Sequence, residues 1–354
     1  MGASPAAAEE NRLTATLAPA PPQGTLLPSD RDVLARYWHP VAFSKDVAPG
    51  PFAARLLDVD LVVYRTADAV VVARDLCIHR GTPLTLGHVD GDELVCRYHG
   101  WRYAADGRCT LIPSRGPGSV PARARLLVVP SLERYGLVWA CLDPAGQSTL
   151  PDWPEAEATE FRVVYPELQE WATSAGRQIE NFLDVSHFSF VHRGTFGNPD
   201  RPLVPDIQIE PTAHGLRFEY EYDAGNPDSS PLDGAPVVRR RMHYDLCLPF
   251  AARLVIAYDD GRRDVVCVAT APAEAARARI FFFVARNYDL EQPEERFLAW
   301  DMAILEEDRQ IVECQRPEQL PLDLRDELHV RADVMAVAYR RALTELGLGI
   351  RFTS

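Results

Sequence analysis

The stretch Glu180-Asn181-Phe182-Leu183-Asp184-Val185-Ser186-His187-Phe188-Ser189-Phe190-Val191-His192 decides how the second half of this chain is read. Asp184 and His187 are three residues apart, so a helix carried through the stretch sets both on one face, with His192 one to two turns further on. Two imidazoles and a carboxylate then converge on one point. Phe182, Leu183, Val185, Phe188, Phe190 and Val191 surround them, and in so dry a setting charges and hydrogen bonds must be matched internally. Two readings stand: a core helix with a satisfied histidine, or a buried metal centre, iron above all. Three ligand-type residues within nine positions weaken the first, and the rest of the chain decides between them.

The 354 residues, 47% of them hydrophobic, suffice for two domains with a sizeable core. A net charge of -14, from 37 basic and 51 acidic residues, argues against nucleic acid or an anionic membrane as the main partner. No apolar run approaches the roughly 20 residues that span a bilayer, and the N-terminus lacks a charged region followed by an apolar core, so a cytoplasmic protein is expected. Seven cysteines (Cys77, Cys96, Cys109, Cys141, Cys247, Cys267, Cys314) are odd in number and scattered. They fit free thiols or metal ligands in a reducing compartment better than a disulfide framework.

Taken in order, the chain predicts an α+β protein in three parts. Residues 1–28, rich in Ala and Pro, read as a disordered tail. Residues 29–148 form a small all-β domain after a short helix from Asp30 to Tyr37. Its strands are separated by turns such as Asp90-Gly91-Asp92 and Asp106-Gly107. His39, ahead of a proline, is expected to be a packing or loop residue, and His88 a surface one. Residues 149–354, after a linker dense in Pro, Gly and Ser, form a domain of helices and one twisted antiparallel sheet. Its helices are expected through the opening stretch, at about 294–314 and at about 326–346. The polar loop Gly225 to Pro236 is long enough to cover a site, and substrate-contacting residues are expected between about Phe196 and Tyr258.

Inside the β domain stand Cys77-Ile78-His79 and, sixteen residues on, Cys96-Arg97-Tyr98-His99. Two thiols and two imidazoles on two loops suit tetrahedral zinc. The usual zinc spacings, however, pair Cys with Cys and His with His, whereas each pair here is mixed. Mixed pairs also suit a two-iron cluster in which both thiolates bind one iron and both imidazoles the other.

The elements Cys77-x-His79 and Cys96-x2-His99-Gly100-Trp101, followed by Asp184-x2-His187-x4-His192, together resemble the Rieske non-haem iron oxygenases, from about Trp38 to the C-terminus. The resemblance implies a Rieske [2Fe-2S] domain followed by a helix-grip catalytic domain, with Cys77, His79, Cys96 and His99 on the cluster. It implies mononuclear Fe(II) held by His187, His192 and a downstream carboxylate, which leaves positions open for O2 and substrate. That carboxylate is Asp308, with Glu307 the runner-up; Glu306 and Glu307 read as a solvated helix face. Asp184 becomes the electron bridge from His187 to His99 of the partner subunit, in a homotrimer.

The same resemblance implies a terminal oxygenase fed with electrons from NAD(P)H by a separate reductase or ferredoxin, since the chain has no convincing Gly-rich dinucleotide fingerprint. Arg80, Arg97, Arg102 and Arg108 flank the cluster loops and are either a docking patch for an acidic donor or ordinary solvated residues. The wording around Glu180–His192 is closest to phthalate oxygenases and to vanillate and methylxanthine demethylases. Monooxygenation of a small aromatic or heterocyclic substrate, by hydroxylation or O-/N-demethylation, is expected. The alternatives are ring cis-dihydroxylation, an electron carrier with an inactive second domain, and a zinc-stabilised binding protein.

Overall fold

The computed structural model describes residues 24–47, 50–116, 118–143, 145–146, 148–232 and 234–349, and the chain divides after Thr149 into two compact units. Of the expected tail, residues 1–23 lie outside the described residues. Its last residues are ordered, a correction to the expected boundary at 28: Asp58, in the turn after Leu56, accepts the Thr25 and Leu26 amides at 2.8 and 2.9 Å and the Thr25 hydroxyl at 2.8 Å. Three hydrogen bonds to one carboxylate are enough to fix a chain end.

The first unit runs α1 (Pro28–Leu34), β1 (His39–Phe43), β2 (Phe52–Leu56), β3 (Val59–Arg65), β4 (Val70–Arg74), β5 (His88–Asp90), β6 (Glu93–Val95), β7 (Arg102–Tyr103), β8 (Cys109–Leu111), β9 (Val128–Val129), β10 (Ser131–Arg134) and β11 (Leu137–Ala140). The strands form three antiparallel sheets, ordered β1-β11-β10, β2-β3-β4-β9 and β5-β6-β7-β8. Val62, Tyr64, Leu84, Leu94, Tyr103 and Ile112 pack into a core that also takes in Cys77 and Cys96. Burying each large member is worth about 1.5–3 kcal/mol, and the two cysteines are seated among them in the packed core of the unit. His39 is buried as a packing residue, its Nε2 2.9 Å from the Leu34 carbonyl, and burial lowers its pKa to about 4. His88 is exposed.

The second unit continues with β12 (Arg162–Val164), β13 (Gln169–Trp171), α2 (Ala175–Leu183), α3 (Phe188–Val191), β14 (Ile209–Pro211), β15 (Gly215–Gly225), β16 (Val237–Cys247), β17 (Ala251–Ala257), β18 (Arg263–Glu274), β19 (Arg277–Arg286), α4 (Glu294–Val312) and α5 (Val334–Glu345). One antiparallel sheet is ordered β12-β19-β18-β17-β16-β15-β14, with β13 also paired to β19. Along β15 the residues Phe218, Tyr220, Tyr222 and Ala224 turn inward and the charged residues between them outward, the period of two that made the strand legible. α2 packs against β18 and β19 and against α4 and α5.

Two helices differ from expectation. The opening stretch is not one helix: α2 stops at Leu183 and Asp184 is extended (φ -76°, ψ 133°) before the single turn of α3. The cause is local, because the Asp184 carboxylate accepts the Ser186 amide at 2.8 Å and offers the backbone an alternative to the next helical bond. The last helix starts at Val334 instead of about Asp326. Glu327, inside the expected helix, is committed to Arg177 and Arg340, and Asp333 accepts the Val330 amide at 2.7 Å in a tight turn. Arg340 also takes both oxygens of Glu180, at 2.5 and 2.9 Å, so this buried network ties α2 to α5.

Candidate metal centres and active site

The two cluster loops of the first unit are built alike. In each, the cysteine carbonyl accepts the amide of a glycine four residues on, Cys77 from Gly81 and Cys96 from Gly100, both at 2.9 Å. Each glycine has a left-handed φ, +70° and +67°, which an L side chain adopts only under strain. The closed turns sink the sulfurs and raise the imidazoles. Cys77 and Cys96 are buried, whereas His99 is exposed and His79 half-exposed. The Nδ1 atoms of His79 and His99 face each other at 3.1 Å, and the His79 ring stacks on Trp101 at 4.5 Å between centroids. Desolvation, then the neighbouring His99 and Arg80, lower the His79 pKa, which favours the neutral imidazole that ligates metals. Cys77 Sγ lies 3.1 Å from the Tyr103 hydroxyl.

In the second unit Asp184 follows the end of α2, α3 spans the gap between His187 and His192, and α4 carries Glu307 and Asp308. His187 Nε2 and His192 Nε2 approach to 3.0 Å, and Asp308 Oδ1 lies 3.3 Å from each. The outer ring nitrogens each meet a carboxylate: His187 Nδ1 is 3.1 Å from Asp184, and His192 Nδ1 is 3.0 Å from Glu307. Burial alone would lower the His187 pKa, but Asp184 and Asp308 outweigh it and raise the value to about 9. Burial opposes the charge of Asp308 as well, and the two histidines hold its pKa well below the usual carboxylate range. A field that favours a cation this strongly favours a metal ion equally.

Sequence reasoning missed the part played by Glu307. It is not on a solvated face: it accepts His192, the Gly194 amide at 3.1 Å and the Thr195 hydroxyl at 2.7 Å. A Cβ on Gly194 would come within 2.6 Å of its Oε1. Only Glu306 fits the solvated reading, paired with Arg309. Glu307 could have been flagged from its place beside a candidate ligand on one helix, but nothing in the sequence links it to His192. Asp184 likewise lies beside the three-donor group, against His187, and not within it.

Both donor sets fit the metals expected of them. Asp308 Oδ1 is buried with no hydrogen-bond partner, although two imidazole nitrogens stand 3.3 Å away. A shared cation would satisfy all three, and two histidines with one carboxylate suit non-haem Fe(II). Among the described residues only His187, His192 and Asp308 bring three such donor atoms within 4.8 Å of one another. The four donors of the first unit divide into a buried thiol pair and an imidazole pair. That division suits a two-iron cluster and not one tetrahedral zinc.

Phe188 packs edge-on to His187, and Phe196 lies over His192 at 4.5 Å. The three donors open on a cavity of about 160 Å³ within the second unit. One wall comes from the expected segment, including Phe196, Met242, Tyr244 and Ile256, and Pro231 and Leu232 of the polar loop reach it as well. That segment was too narrow a prediction. β18, β19 and a stripe of α4 supply the other walls, and in sequence this stripe is indistinguishable from an ordinary core face.

Comparison with known proteins agrees with this architecture. Residues 37–133 match the Rieske [2Fe-2S] domain, and residues 171–348 match the vanillate O-demethylase oxygenase C-terminal domain. The chain is 31% identical to methylxanthine N1-demethylase NdmA of Pseudomonas putida, over 91% of each chain. It is 30% identical to methylxanthine N3-demethylase NdmB of the same organism, over 90% of this chain and 91% of that protein. The solved structure of NdmA with caffeine superimposes with a TM-score of 0.82, covering 90% of this chain and 92% of that one at 30% identity. Dicamba monooxygenase bound to dicamba, at 22% identity, shares the fold with a TM-score of 0.78. The zinc-stabilised binding protein is thereby set aside, and the chain belongs to the Rieske non-haem iron oxygenases.

Proposed function

We propose that this protein is the terminal oxygenase of a multicomponent system that monooxygenates a small aromatic or heterocyclic substrate, by hydroxylation or by removal of an O- or N-methyl group. The observation that carries the reading is the group of His187, His192 and Asp308 at the wall of a largely apolar cavity. In this proposal those three residues hold mononuclear iron, and Cys77, His79, Cys96 and His99 hold the [2Fe-2S] cluster. When bound, these groups supply one-electron transfer from a reductase that uses NAD(P)H, and the activation of O2. The chain's own residues orient and exclude water. Asp184 and Glu307 fix the rings of His187 and His192 through Nδ1 and leave Nε2 for the metal. Phe188 and Phe196 keep the imidazoles dry.

The assembly proposed is a homotrimer in which Asp184 also accepts a hydrogen bond from His99 of the partner subunit. Support comes from the exposure of His99 and from the Asp184 contact with His187. For the electron donor, Arg80 and Arg97 are the better docking cations. Both are exposed, whereas Arg102 is engaged by Asp90 and Glu93. No helix among the described residues is long and apolar enough to cross a membrane; a cytoplasmic location is part of the proposal.

The test is anaerobic purification with counts of iron, zinc and acid-labile sulfide, electron paramagnetic resonance after dithionite reduction, and product analysis. Roughly three irons and two sulfides per chain, a reduced Rieske signal and formaldehyde from a methylated substrate are expected. A cis-diol product would replace monooxygenation by dihydroxylation. Asp184→Asn is expected to keep both metals and lose coupled turnover; a normal rate would remove the bridge assignment. Light scattering should give a trimer, and a stable active monomer would refute it.

A further inference from the structure

Of three consecutive arginines on β16, two have acid partners and one has none. Arg239 and Arg241 are exposed on the outer face of the sheet, Arg239 at 3.2 Å from Asp223 and 3.6 Å from Glu221, Arg241 at 2.8 Å from Asp259. Arg240 turns inward, in the row of Met242, Tyr244 and Leu246, and is only 4% exposed. It lines the cavity of the second unit. Its Nε is buried without a hydrogen-bond partner, and its guanidinium makes no hydrogen bond or ion pair among the described residues. The contact it does make is with the face of Phe196, 5.1 Å from the ring centre.

A guanidinium stays charged in proteins and carries five N–H donors. In a largely apolar wall such a group costs free energy unless its charge and its donors are matched. An apolar side chain of similar volume would pack this position more stably. The charged groups around the cavity leave it unmatched. Asp264 on β18 acts on it only at a distance, and its oxygens are taken by the Tyr258 and Tyr288 hydroxyls at 2.8 and 2.9 Å. Asp301 on α4 acts on Arg286, and Arg286 is held by the Asp289 and Gln292 carbonyls at 3.4 and 3.5 Å. A neutral ligand would supply acceptors and leave the charge of Arg240 without a partner. An oxyanion supplies both, and the two oxygens of a carboxylate fit the forked donors of arginine.

We propose that Arg240 is an anion-binding residue of the substrate cavity: its guanidinium takes a carboxylate on an aromatic substrate and leaves the far side of the ring at His187, His192 and Asp308. This deepens the oxygenase reading above and rests on it. Phe196 sets the spacing. Its ring lies 5.1 Å from the guanidinium and 4.5 Å from the His192 ring, which places Arg240 within about 10 Å of that ligand. One substituted benzene ring bridges such a gap, and the apolar side chains of β16 flank it.

The experiment measures calorimetric binding of meta-methoxybenzoate and of its neutral isostere meta-methoxybenzamide to the iron-loaded holoenzyme, for the wild type, Arg240→Met and Arg240→Gln. The wild type is expected to bind the benzoate about 10-fold or more tighter than the benzamide, the worth of a charge-assisted hydrogen-bond pair. In both variants that preference is expected to fall to within about 2-fold of unity, while the Met variant melts at or above the wild-type temperature. Two variants guard against one that fails to fold, and the Rieske absorption reports folding in each. A hydrated guanidinium without a ligand role predicts no preference in the wild type, and a carboxylate that simply ligates the iron predicts a preference that survives in both variants. Either result overturns the proposal, as does binding of neither probe. Because binding is read without turnover, an Arg240-dependent preference with no formaldehyde from the benzoate in the reductase-coupled assay would sink the demethylase reading and leave the Arg240 assignment standing. Formaldehyde from caffeine, with no preference for the carboxylate, would do the reverse.

Discussion

The two donor sets solve one problem in opposite ways. In the first unit all four donors lie between residues 77 and 99, on two turns that each close on their own glycine. In the second the donors lie between residues 187 and 308 and are held by contacts between distant elements: Asp184 at the end of α2, Glu307 beside its ligand on α4, and Arg340 on α5 gripping Glu180. Local closure makes a site legible and self-supporting. Distant closure makes a site that depends on the packing of the whole unit.

Four substitutions would break or sharpen that contrast. Asp308→Ala should have the largest effect, cutting turnover to below roughly 1% of wild type, beyond the 10- to 100-fold loss typical of an outer-shell change. Iron and sulfide analysis should show one iron lost and the two-iron signal retained; loss of both would mean the two sites are not independent. Arg340→Met should destabilise the second unit by about 3 kcal/mol, because it leaves buried Glu180 with only the longer contact to Arg177, 3.7 Å away. A thermal melt followed at the cluster absorption and by far-ultraviolet dichroism would separate the units, and a single shifted transition would count against independent closure. Glu307→Gln should weaken Fe(II) binding by roughly 10- to 100-fold, with partial rescue by excess Fe(II). If iron titration of that variant matched wild type, the role of Glu307 in orienting His192 would fall. Tyr103→Phe removes a hydroxyl next to Cys77 Sγ and should lower the cluster potential by about 1 kcal/mol, roughly 40 mV for one electron. Redox titration of the cluster reads this directly, and an unchanged potential would mean the hydroxyl does not act on the sulfur.

What was legible follows the same division. The Cys-x-His and Cys-x2-His turns, and the period-two strands of the large sheet, could be read because their geometry is set within a few residues. The opening stretch was read correctly for its residues and wrongly for its backbone. A helical face predicted Asp184 beside His187, and they do meet, but through a carboxylate that ends the helix and caps the Ser186 amide. Asp308 needed the resemblance to a family, since no local pattern relates it to His187. Glu307 and the cavity stripe of α4 were hidden for the same reason: on a helix an orienting acid or a substrate-facing side chain looks like any surface or core residue until its neighbours are known.

The closed cluster turns have an evolutionary and practical corollary. Each is complete within five residues, so the fourteen residues between Gly81 and Cys96 join two finished parts, with Leu84 and Leu94 anchored in the core. The Asp90-Gly91-Asp92 hairpin tip within that spacer is exposed. Length is thus a free variable at that tip, where an inserted reporter peptide would travel with the cluster and leave its chemistry alone.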